Sequence, residues 1–161
     1  MDYKEYDPIK EKLYNSLDTI RYEHTIGVMY TAGCLAMAYG YDIEQAMLAG
    51  LLHDCAKCMS HEERVLLCQK YGVEITQSEK TNLSLLHAKA GAILAKEEYN
   101  ITDLSILHAI QVHTTGEPDM SVLDKIIYIA DYIEPGRDQA PNLEQIRRLA
   151  YQDMNACVAQ I

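Results

Sequence analysis

Six polar side chains lie in stretches of sequence that otherwise read as buried helix: His24, His53, Asp54, His87, His113 and Asp131. The segment AGLLHDCAK, residues 49–57, shows the pattern, because an apolar run ends on His53 and Asp54 with Lys57 one turn later. Burying an imidazole beside a carboxylate costs free energy unless other groups satisfy both of them. These side chains must therefore have partners within the fold.

Helical periodicity places these residues on inward faces, since positions three or four apart share one side of a helix. His24 lies on the apolar stripe that contains Val28 and Leu35, and Asp131 shares a face with Ile127. The residues beside His53 and His87 are small where a core would normally carry leucine: Ala46, Ala49 and Gly50 beside the first, Ser84, Ala88 and Gly91 beside the second. We interpret these small residues as leaving room for an ion with its bound waters.

Taken singly, each of these residues has an ordinary explanation. A histidine in an apolar helix is more often a core residue satisfied by a hydrogen bond, and Asp131 could pair with an arginine. Their recurrence on the inward faces of several helices favours a shared metal site. Imidazole and carboxylate without thiolate suit iron, manganese, cobalt or zinc. The set is too large for one tetrahedral ion, and a carboxylate can bridge two ions, so we expect two divalent metal ions with open positions for water and substrate.

The elements that position these residues are predicted to be helices. Asp42 is a predicted N-cap, Gly40 ends a helix, and capping boxes are expected at residues 60–63 and 121–124. Helices are predicted at residues 8–17, 19–39, 42–54, 60–72, 84–99, 102–113, 121–134 and 142–161, and the only strand signal is VEIT at 73–76. The predicted fold class is all-α, a helical bundle of about eight helices.

Three nearby features have competing interpretations. His108 is rotated by about 140° around its helix from His113, so we leave it out of the metal set. Asp124 is predicted to orient a ligating histidine from outside the metal site, with a surface role as capping acid as the alternative. The Cys-x-x-Cys motif at residues 55–58 could be redox-active or bind zinc, but the sequence has no second pair of this kind.

Length and composition restrict the class of protein. The 161 residues, of which 48% are hydrophobic, are sufficient for one folded domain over residues 1–161. The net charge of −10 argues against nucleic acid and anionic membranes as partners. No signal peptide or membrane span is evident, and five cysteines at irregular spacing do not suggest a disulfide framework. We therefore predict a cytoplasmic protein with reduced thiols.

The ordered histidines and aspartates resemble the HD-domain metal-dependent phosphohydrolases. The segments RYEHTIGV, GLLHDCAK, LLHAKAGA and HTTGEPDMSVLDKIIYIADYIEPGR are similar to bacterial HD proteins of the YqeK type, the symmetrical bis(5′-nucleosyl)-tetraphosphatases. The similarity extends over about residues 18–148, and its last block is the most specific part. The chain ends within the last apolar helix, where relatives usually continue, so we expect a truncated C-terminus.

The resemblance implies a metal-binding role for each of the six residues. One metal would be held by His24, His53, Asp54 and Asp131. Asp54 would bridge to a second metal, completed by His87 and His113. The usual metal of the family is iron, with manganese, cobalt or zinc as alternatives.

The resemblance also implies residues that contact the substrate. Lys57 and Arg137 match positions that face phosphate oxygens, and Arg21 is predicted to orient or neutralise the site. Asp54 and Lys57 are the predicted catalytic residues. Apart from the resemblance, the position of Thr114 beside His113 predicts that it shapes this loop and supports the site, with simple helix termination as the alternative.

The function implied is symmetrical hydrolysis of diadenosine tetraphosphate to two ADP, by attack of a metal-activated hydroxide on phosphorus. A nucleotidase or deoxynucleoside triphosphatase with the same metals is the nearest alternative. A di-iron oxygenase and a nucleotide-sensing module are the alternatives outside phosphatase chemistry. Whether the chain is a monomer or a homodimer is left open.

Overall fold

The computed structural model describes residues 6–161, and every regular element among them is helical. Ten α-helices follow in chain order: α1 (Asp7–Ser16), α2 (Thr19–Tyr39), α3 (Ile43–Leu52), α4 (His61–Lys70), α5 (Gln77–Thr81), α6 (Leu86–Tyr99), α7 (Leu104–Val112), α8 (Val122–Ile133), α9 (Leu143–Leu149) and α10 (Met154–Val158). A 3₁₀ turn, Leu83–Leu85, leads into α6. The all-α prediction is confirmed, and the two five-residue helices α5 and α10 account for the number above eight.

The helix boundaries follow from the predicted caps. The Asp42 side chain accepts from the backbone N–H of Gln45 at the start of α3, and Gly40 ends α2 with a φ of 66°. Both predicted capping boxes are present, Ser60 with Glu63 and Ser121 with Asp124. These side chains satisfy N–H groups that have no partner within the helix, which fixes where each helix starts.

The core lies between α2, α3, α7 and α8, with α6 packed on α7. Its fully buried side chains include Met29 on α2, Leu51 on α3, Ile110 on α7 and Ile127 on α8. The stretch from His53 to Lys57 continues directly from α3 as a tight turn. The helices that form the core therefore also carry the six polar residues of interest.

The two glycines near His53 and His87 serve close helix packing. A Cβ atom on Gly50 would lie 3.1 Å from the Met29 Cα atom, and one on Gly91 would lie 3.3 Å from Ile110 Cγ2. The interpretation of these two glycines as room for an ion is therefore wrong. They allow α3 to approach α2, and α6 to approach α7.

Three element predictions are also wrong. Residues 73–76 form no strand, because Thr76 caps α5 and the preceding residues only connect it to α4. Asp103, and not Thr102, caps α7. The predicted last helix is two helices, because Asp153 accepts from the backbone N–H of Ala156 and so starts α10 as a separate helix.

None of the helices within residues 6–161 combines the length and apolar character that crossing a membrane requires. The prediction of one domain covers residues 1–161, of which 1–5 lie outside the described residues.

Candidate metal centre

The six predicted metal residues meet in the middle of the bundle, and we call them the histidine–aspartate cluster: His24, His53, Asp54, His87, His113 and Asp131. His24 comes from α2, His87 from α6 and Asp131 from α8, whereas the others directly follow α3 and α7. The imidazole rings form a chain, with centroids 5.4 Å apart for His24 and His53, 5.1 Å for His53 and His113, and 5.0 Å for His113 and His87. Residues up to 107 positions apart in sequence therefore meet at one site.

Three of the histidines are oriented by the main chain. The Nδ1 atoms of His53, His87 and His113 lie 2.7, 2.6 and 2.7 Å from the carbonyl oxygens of Gly50, Ser84 and Ile110, each three residues earlier. A carbonyl oxygen can only accept, so each Nδ1 must carry the proton. The Nε2 atom of each neutral ring then has a lone pair, which is the form that binds a metal.

The fourth histidine is oriented by a side chain. His24 Nδ1 lies 3.1 Å from the Oε1 atom of Glu134, a carboxylate that is 4% exposed. Glu134 is absent from the sequence predictions. The sequence does place Glu134 three residues after Asp131, and this spacing puts both acids on the same side of α8, so Glu134 could have been predicted to lie near the cluster.

Ring nitrogens that carry no proton face one another within the cluster. The Nε2 atoms of His87 and His113 are 3.2 Å apart, although both Nδ1 atoms carry the protons. His24 Nε2 faces the Asp131 Oδ1 atom at 3.0 Å, and His53 Nε2 and Asp54 Oδ1 are buried without a hydrogen-bond partner among the described residues. Buried acceptors that face one another are unfavourable unless a cation lies between them.

The donor atoms therefore fit divalent metal ions. Two groups of three ligands have donor atoms within 4.8 Å of one another: His24, His53 and Asp131 form one, and His53, Asp54 and His113 form the other. Neutral imidazoles with carboxylates are ligands that iron, manganese, cobalt and zinc accept.

The Asp54 carboxylate lies between the two halves of the cluster. Its Oδ2 atom lies 3.5 Å from His53 Nε2 and 4.0 Å from His24 Nε2. Its Oδ1 atom lies 3.1 Å from His87 Nε2 and 3.5 Å from His113 Nε2. The two oxygens thus face two different pairs of histidines, which is the arrangement required of a carboxylate that bridges two ions.

Burial favours the neutral forms of His53 and His87, whereas at His113 the effect of burial is outweighed by the Asp54 carboxylate, which raises the pKa of that histidine. Burial lowers the pKa of His53 to about 4, against the opposing effect of the Asp54 and Asp131 carboxylates. Burial also lowers the pKa of His87, with Asp54 again opposing it. Burial alone would raise the pKa of Asp54, but the neighbouring histidines hold that pKa well below its usual value. Near neutral pH His53 and His87 are neutral and the Asp54 carboxylate is ionised, as metal binding requires.

The three basic residues predicted to bind phosphate contact the cluster's carboxylates. Arg21 Nη1 lies 2.7 Å and Lys57 Nζ 3.6 Å from oxygens of Asp54, and Arg137 Nη2 lies 2.6 Å from Asp131 Oδ1. The three basic side chains are 28%, 32% and 35% exposed, so each borders both the cluster and solvent. Lys57 Nζ also lies 3.0 Å from His87 Nε2.

The two supporting residues predicted from the sequence have different surroundings. The Thr114 hydroxyl lies 3.1 Å from His87 Nε2 and 3.2 Å from His113 Nε2, so it contacts the cluster directly. Asp124 accepts instead from His108 Nδ1 at 3.0 Å and from the backbone N–H of Ser121. Asp124 therefore orients His108 and not a histidine of the cluster. His108 lies outside the cluster, as its position on the helix predicts.

A cavity of about 470 Å³ opens beside the cluster, between the start of α2 and the loop after α8. His24, Arg21 and Arg137 line it, together with Gly27 and Glu134. Its volume lies within the usual range for small-molecule sites. A larger cavity of about 600 Å³, between α2 and α3, is lined by Tyr30, Met37 and Met47 and includes none of the cluster residues.

Similarity to known proteins covers most of the chain. The HD domain family matches residues 21–136. The symmetrical bis(5′-nucleosyl)-tetraphosphatase of Halalkalibacterium halodurans is 46% identical over 147 residues, which cover 86% of this chain and 73% of the relative. The protein of the same name from Bacillus subtilis is 41% identical over 142 residues, covering 87% and 74%.

A solved structure shares the whole architecture. It comes from Clostridium acetobutylicum and is described as a predicted HD superfamily hydrolase involved in NAD metabolism. It superposes with a TM-score of 0.93 at 46% identity, covering 96% of this chain and 82% of that one. The two proteins are therefore similar in sequence as well as in fold.

Proposed function

We propose that this chain, which belongs to the HD-domain family and within it to the symmetrical bis(5′-nucleosyl)-tetraphosphatases, hydrolyses diadenosine tetraphosphate to two molecules of ADP. The family membership confirms the resemblance found in the sequence motifs. The substrate is proposed from the names of the relatives and from the chemistry of the cluster.

The position of Asp54 is the observation that carries the proposal. One oxygen faces His24 and His53, and the other faces His87 and His113. A carboxylate placed in this way supports two ions, the first completed by Asp131. We propose iron as the native metal, with manganese, cobalt or zinc as alternatives.

Divalent ions in such a site lower the pKa of bound water and offset the charge on phosphoryl oxygens. The residues of the chain determine where that chemistry can act. The histidines present their Nε2 lone pairs because the Nδ1 protons are held by carbonyl groups or by Glu134. Rotation of the rings would break these hydrogen bonds, so the ligand directions are set before a metal binds.

The charges around the cluster favour a polyphosphate substrate. Arg21, Lys57 and Arg137 balance the carboxylates of Asp54, Asp131 and Glu134. The positive charge of bound divalent ions is therefore not neutralised by the protein and can be matched by an anionic substrate. Because each basic side chain is about a third exposed, it can turn to a phosphate oxygen, and we assign Lys57 to the phosphate at the reacting centre.

Location and partners are proposed on the sequence alone. The net charge of −10 favours a protein that does not bind nucleic acid, and the unpaired cysteines favour the reducing cytoplasm. We assign no oligomeric state, and a homodimer is compatible with the proposal.

The test is product analysis. Purified protein is loaded separately with Fe²⁺, Mn²⁺, Co²⁺ and Zn²⁺, incubated with diadenosine tetraphosphate, and the nucleotides are separated by ion-exchange chromatography. ADP as the sole product supports the proposal, and the metal that gives the highest rate per bound ion identifies the preferred cofactor. A mixture of AMP and ATP would mean that the enzyme cleaves an outer anhydride bond and would contradict the proposal.

The alternatives are tested by giving the same metal-loaded protein other substrates. Orthophosphate release from nucleoside monophosphates would favour a nucleotidase, and triphosphate release from deoxynucleoside triphosphates would favour a triphosphatase. Oxygen consumption with a polyol would favour a di-iron oxygenase. Nucleotide binding without turnover under every metal would favour a sensing module.

A further inference from the structure

His24 is the only histidine of the cluster that lies in the interior of a helix. His53 and His113 are the C-cap residues of α3 and α7, and His87 follows a 3₁₀ turn. The last carbonyl groups of a helix have no partner within it, so they are available to accept from an imidazole. Within α2 the carbonyl groups before His24 already accept backbone hydrogen bonds, so the Nδ1 atom needs an acceptor from elsewhere.

Glu134 is that acceptor, and its carboxylate is fixed from several sides. Oε1 lies 3.1 Å from His24 Nδ1, and Oε2 accepts from the backbone N–H of Gly136 at 2.6 Å. Gly27 leaves the space for the carboxylate, since a Cβ atom there would lie 2.5 Å from Oε2.

The backbone that carries Glu134 is fixed as well. The Arg147 guanidinium donates to three carbonyl groups of this loop, at distances of 2.8 to 2.9 Å: those of Ile133, Glu134 and Arg137. Glu134 is therefore held by its own side chain and by its main chain.

We infer that Glu134 is a positioning residue that holds His24 in the Nδ1–H tautomer and directs its Nε2 atom at the metal shared with His53 and Asp131. The inference rests on the proposed function only in taking the cluster to bind metal ions. A carboxylate partner also makes an imidazole a stronger ligand than a carbonyl partner does. The half of the cluster that contains His24 should therefore depend on Glu134, and the half that contains His87 should not.

Glu134→Gln is the decisive variant, because it keeps the shape of the side chain. The amide has one acceptor oxygen, whereas Glu134 accepts from two N–H groups. The Gly136 N–H cannot change into an acceptor, so the amide oxygen stays on it and the amide NH₂ faces His24 Nδ1. That nitrogen must then accept, the proton moves to Nε2, and the lone pair for the metal is lost.

Two measurements test the inference. Long-range ¹H–¹⁵N spectra of the metal-free protein, labelled on histidine, report which ring nitrogen of His24 carries the proton. Titration with Mn²⁺, followed by electron paramagnetic resonance of the free ion, reports the number and affinity of bound ions. We expect His24 Nδ1 to carry a proton in the wild type and to lose it in Glu134→Gln, where only Nε2, beside Asp131, stays protonated, and we expect a loss of about 10- to 100-fold in the affinity for one of the two ions.

Glu117→Gln is the matched control. Glu117 Oε1 lies 2.9 Å from His108 Nε2, so the control also removes a carboxylate from a histidine, but outside the cluster. It should leave both Mn²⁺ affinities unchanged. Circular dichroism of both variants verifies that the helices are retained.

An unchanged His24 tautomer together with wild-type Mn²⁺ affinity in Glu134→Gln would overturn the inference, as would equal loss of affinity in Glu117→Gln. If the wild type binds no divalent ion, the metal part of the proposed function fails instead. In that case the spectra still test whether Glu134 keeps the proton on His24 Nδ1. Loss of that proton in Glu134→Gln supports this part of the inference, and its retention overturns it.

Discussion

Gly27→Ala should displace the Glu134 carboxylate without altering its chemistry. The added Cβ atom would lie 2.5 Å from Glu134 Oε2 and 3.3 Å from its Cδ atom. Contacts of Cβ atoms shorter than 3.0 Å are essentially never seen, so the oxygen must move by at least about 0.5 Å. Such a movement strains the hydrogen bonds from Gly136 and His24, because both are set by the present position of the carboxylate.

The effect on stability should be small and the effect on metal binding large. Overpacking a well-packed site costs about 1–3 kcal/mol, whereas alanine in a helix interior is favoured over glycine by about 1 kcal/mol. The free energy of unfolding should therefore fall by only about 0–2 kcal/mol. Displacing the partner of a metal-ligating histidine should lower the affinity of one Mn²⁺ ion by about 10-fold or more.

Gly33→Ala is the control on the same helix. Its added Cβ atom would lie 2.9 Å from Met47 Cγ, a buried contact that is also too short but involves no cluster residue. Both variants gain the same helix propensity and each places one Cβ atom too close to a neighbouring side chain, so the difference in Mn²⁺ affinity isolates the contact with Glu134. Urea unfolding gives the stabilities, and Mn²⁺ titration gives the affinities. Wild-type affinity in Gly27→Ala, or an equal loss in Gly33→Ala, would refute the reasoning.

Three further predictions concern other parts of the molecule. Asp54→Asn should lower the content of both metals and abolish hydrolysis while the helical circular dichroism persists, because the two oxygens of Asp54 face different pairs of histidines. His108→Ala should leave metal content and hydrolysis unchanged, because His108 is bound to Asp124 outside the cluster. The hydrogen bond from His108 to Asp124 raises the pKa of His108, so the stabilisation from this pair is present below the ordinary pKa of histidine and is lost as the pH rises through the raised pKa. Urea unfolding of a His108→Gln variant should therefore show a loss of stability at pH 5.5 but not at pH 9, and the loss should be less than about 1 kcal/mol because the His108 side chain is half-exposed. Burial raises the pKa of the Cys55 thiol, so iodoacetamide should modify the exposed Cys58 and spare Cys55 in the folded protein, as read by mass spectrometry.

Each of these predictions has an outcome that contradicts it. Equal loss of metal in the Asp54 and His108 variants would undo the division of the histidines into cluster and non-cluster residues. A pH-independent effect of His108→Gln would show that its interaction with Asp124 does not depend on charge. Rapid modification of both Cys55 and Cys58 would revive the Cys-x-x-Cys motif as a reactive site.

The local features of the chain could be predicted because they depend on neighbours in sequence. Asp42, Ser60 and Ser121 begin helices where expected, since each side chain bonds N–H groups two or three residues later. Periodicity also identified which polar residues face inward, because a helix face is set by its 3.6-residue repeat. For the same reason His108 was separated from His113.

Contacts between helices depend on the tertiary structure, and the sequence patterns either did not predict these contacts or predicted them wrongly. Gly50 and Gly91 looked like space for an ion, but they are small because neighbouring helices touch them. The resemblance to a family suggested that Asp54 bridges, yet only the packing of α2, α3, α6 and α7 places its two oxygens between two pairs of histidines.

Glu134 shows the limit most clearly. Its partner His24 is 110 residues away, and the need for that partner arises because the interior of α2 has no free carbonyl group for an imidazole. Residue types and helix periodicity therefore determined which side chains could bind a metal. The packing of distant helices decided which groups hold those side chains in place, because an acceptor supplied by another helix has no fixed spacing in the sequence from the residue that it holds.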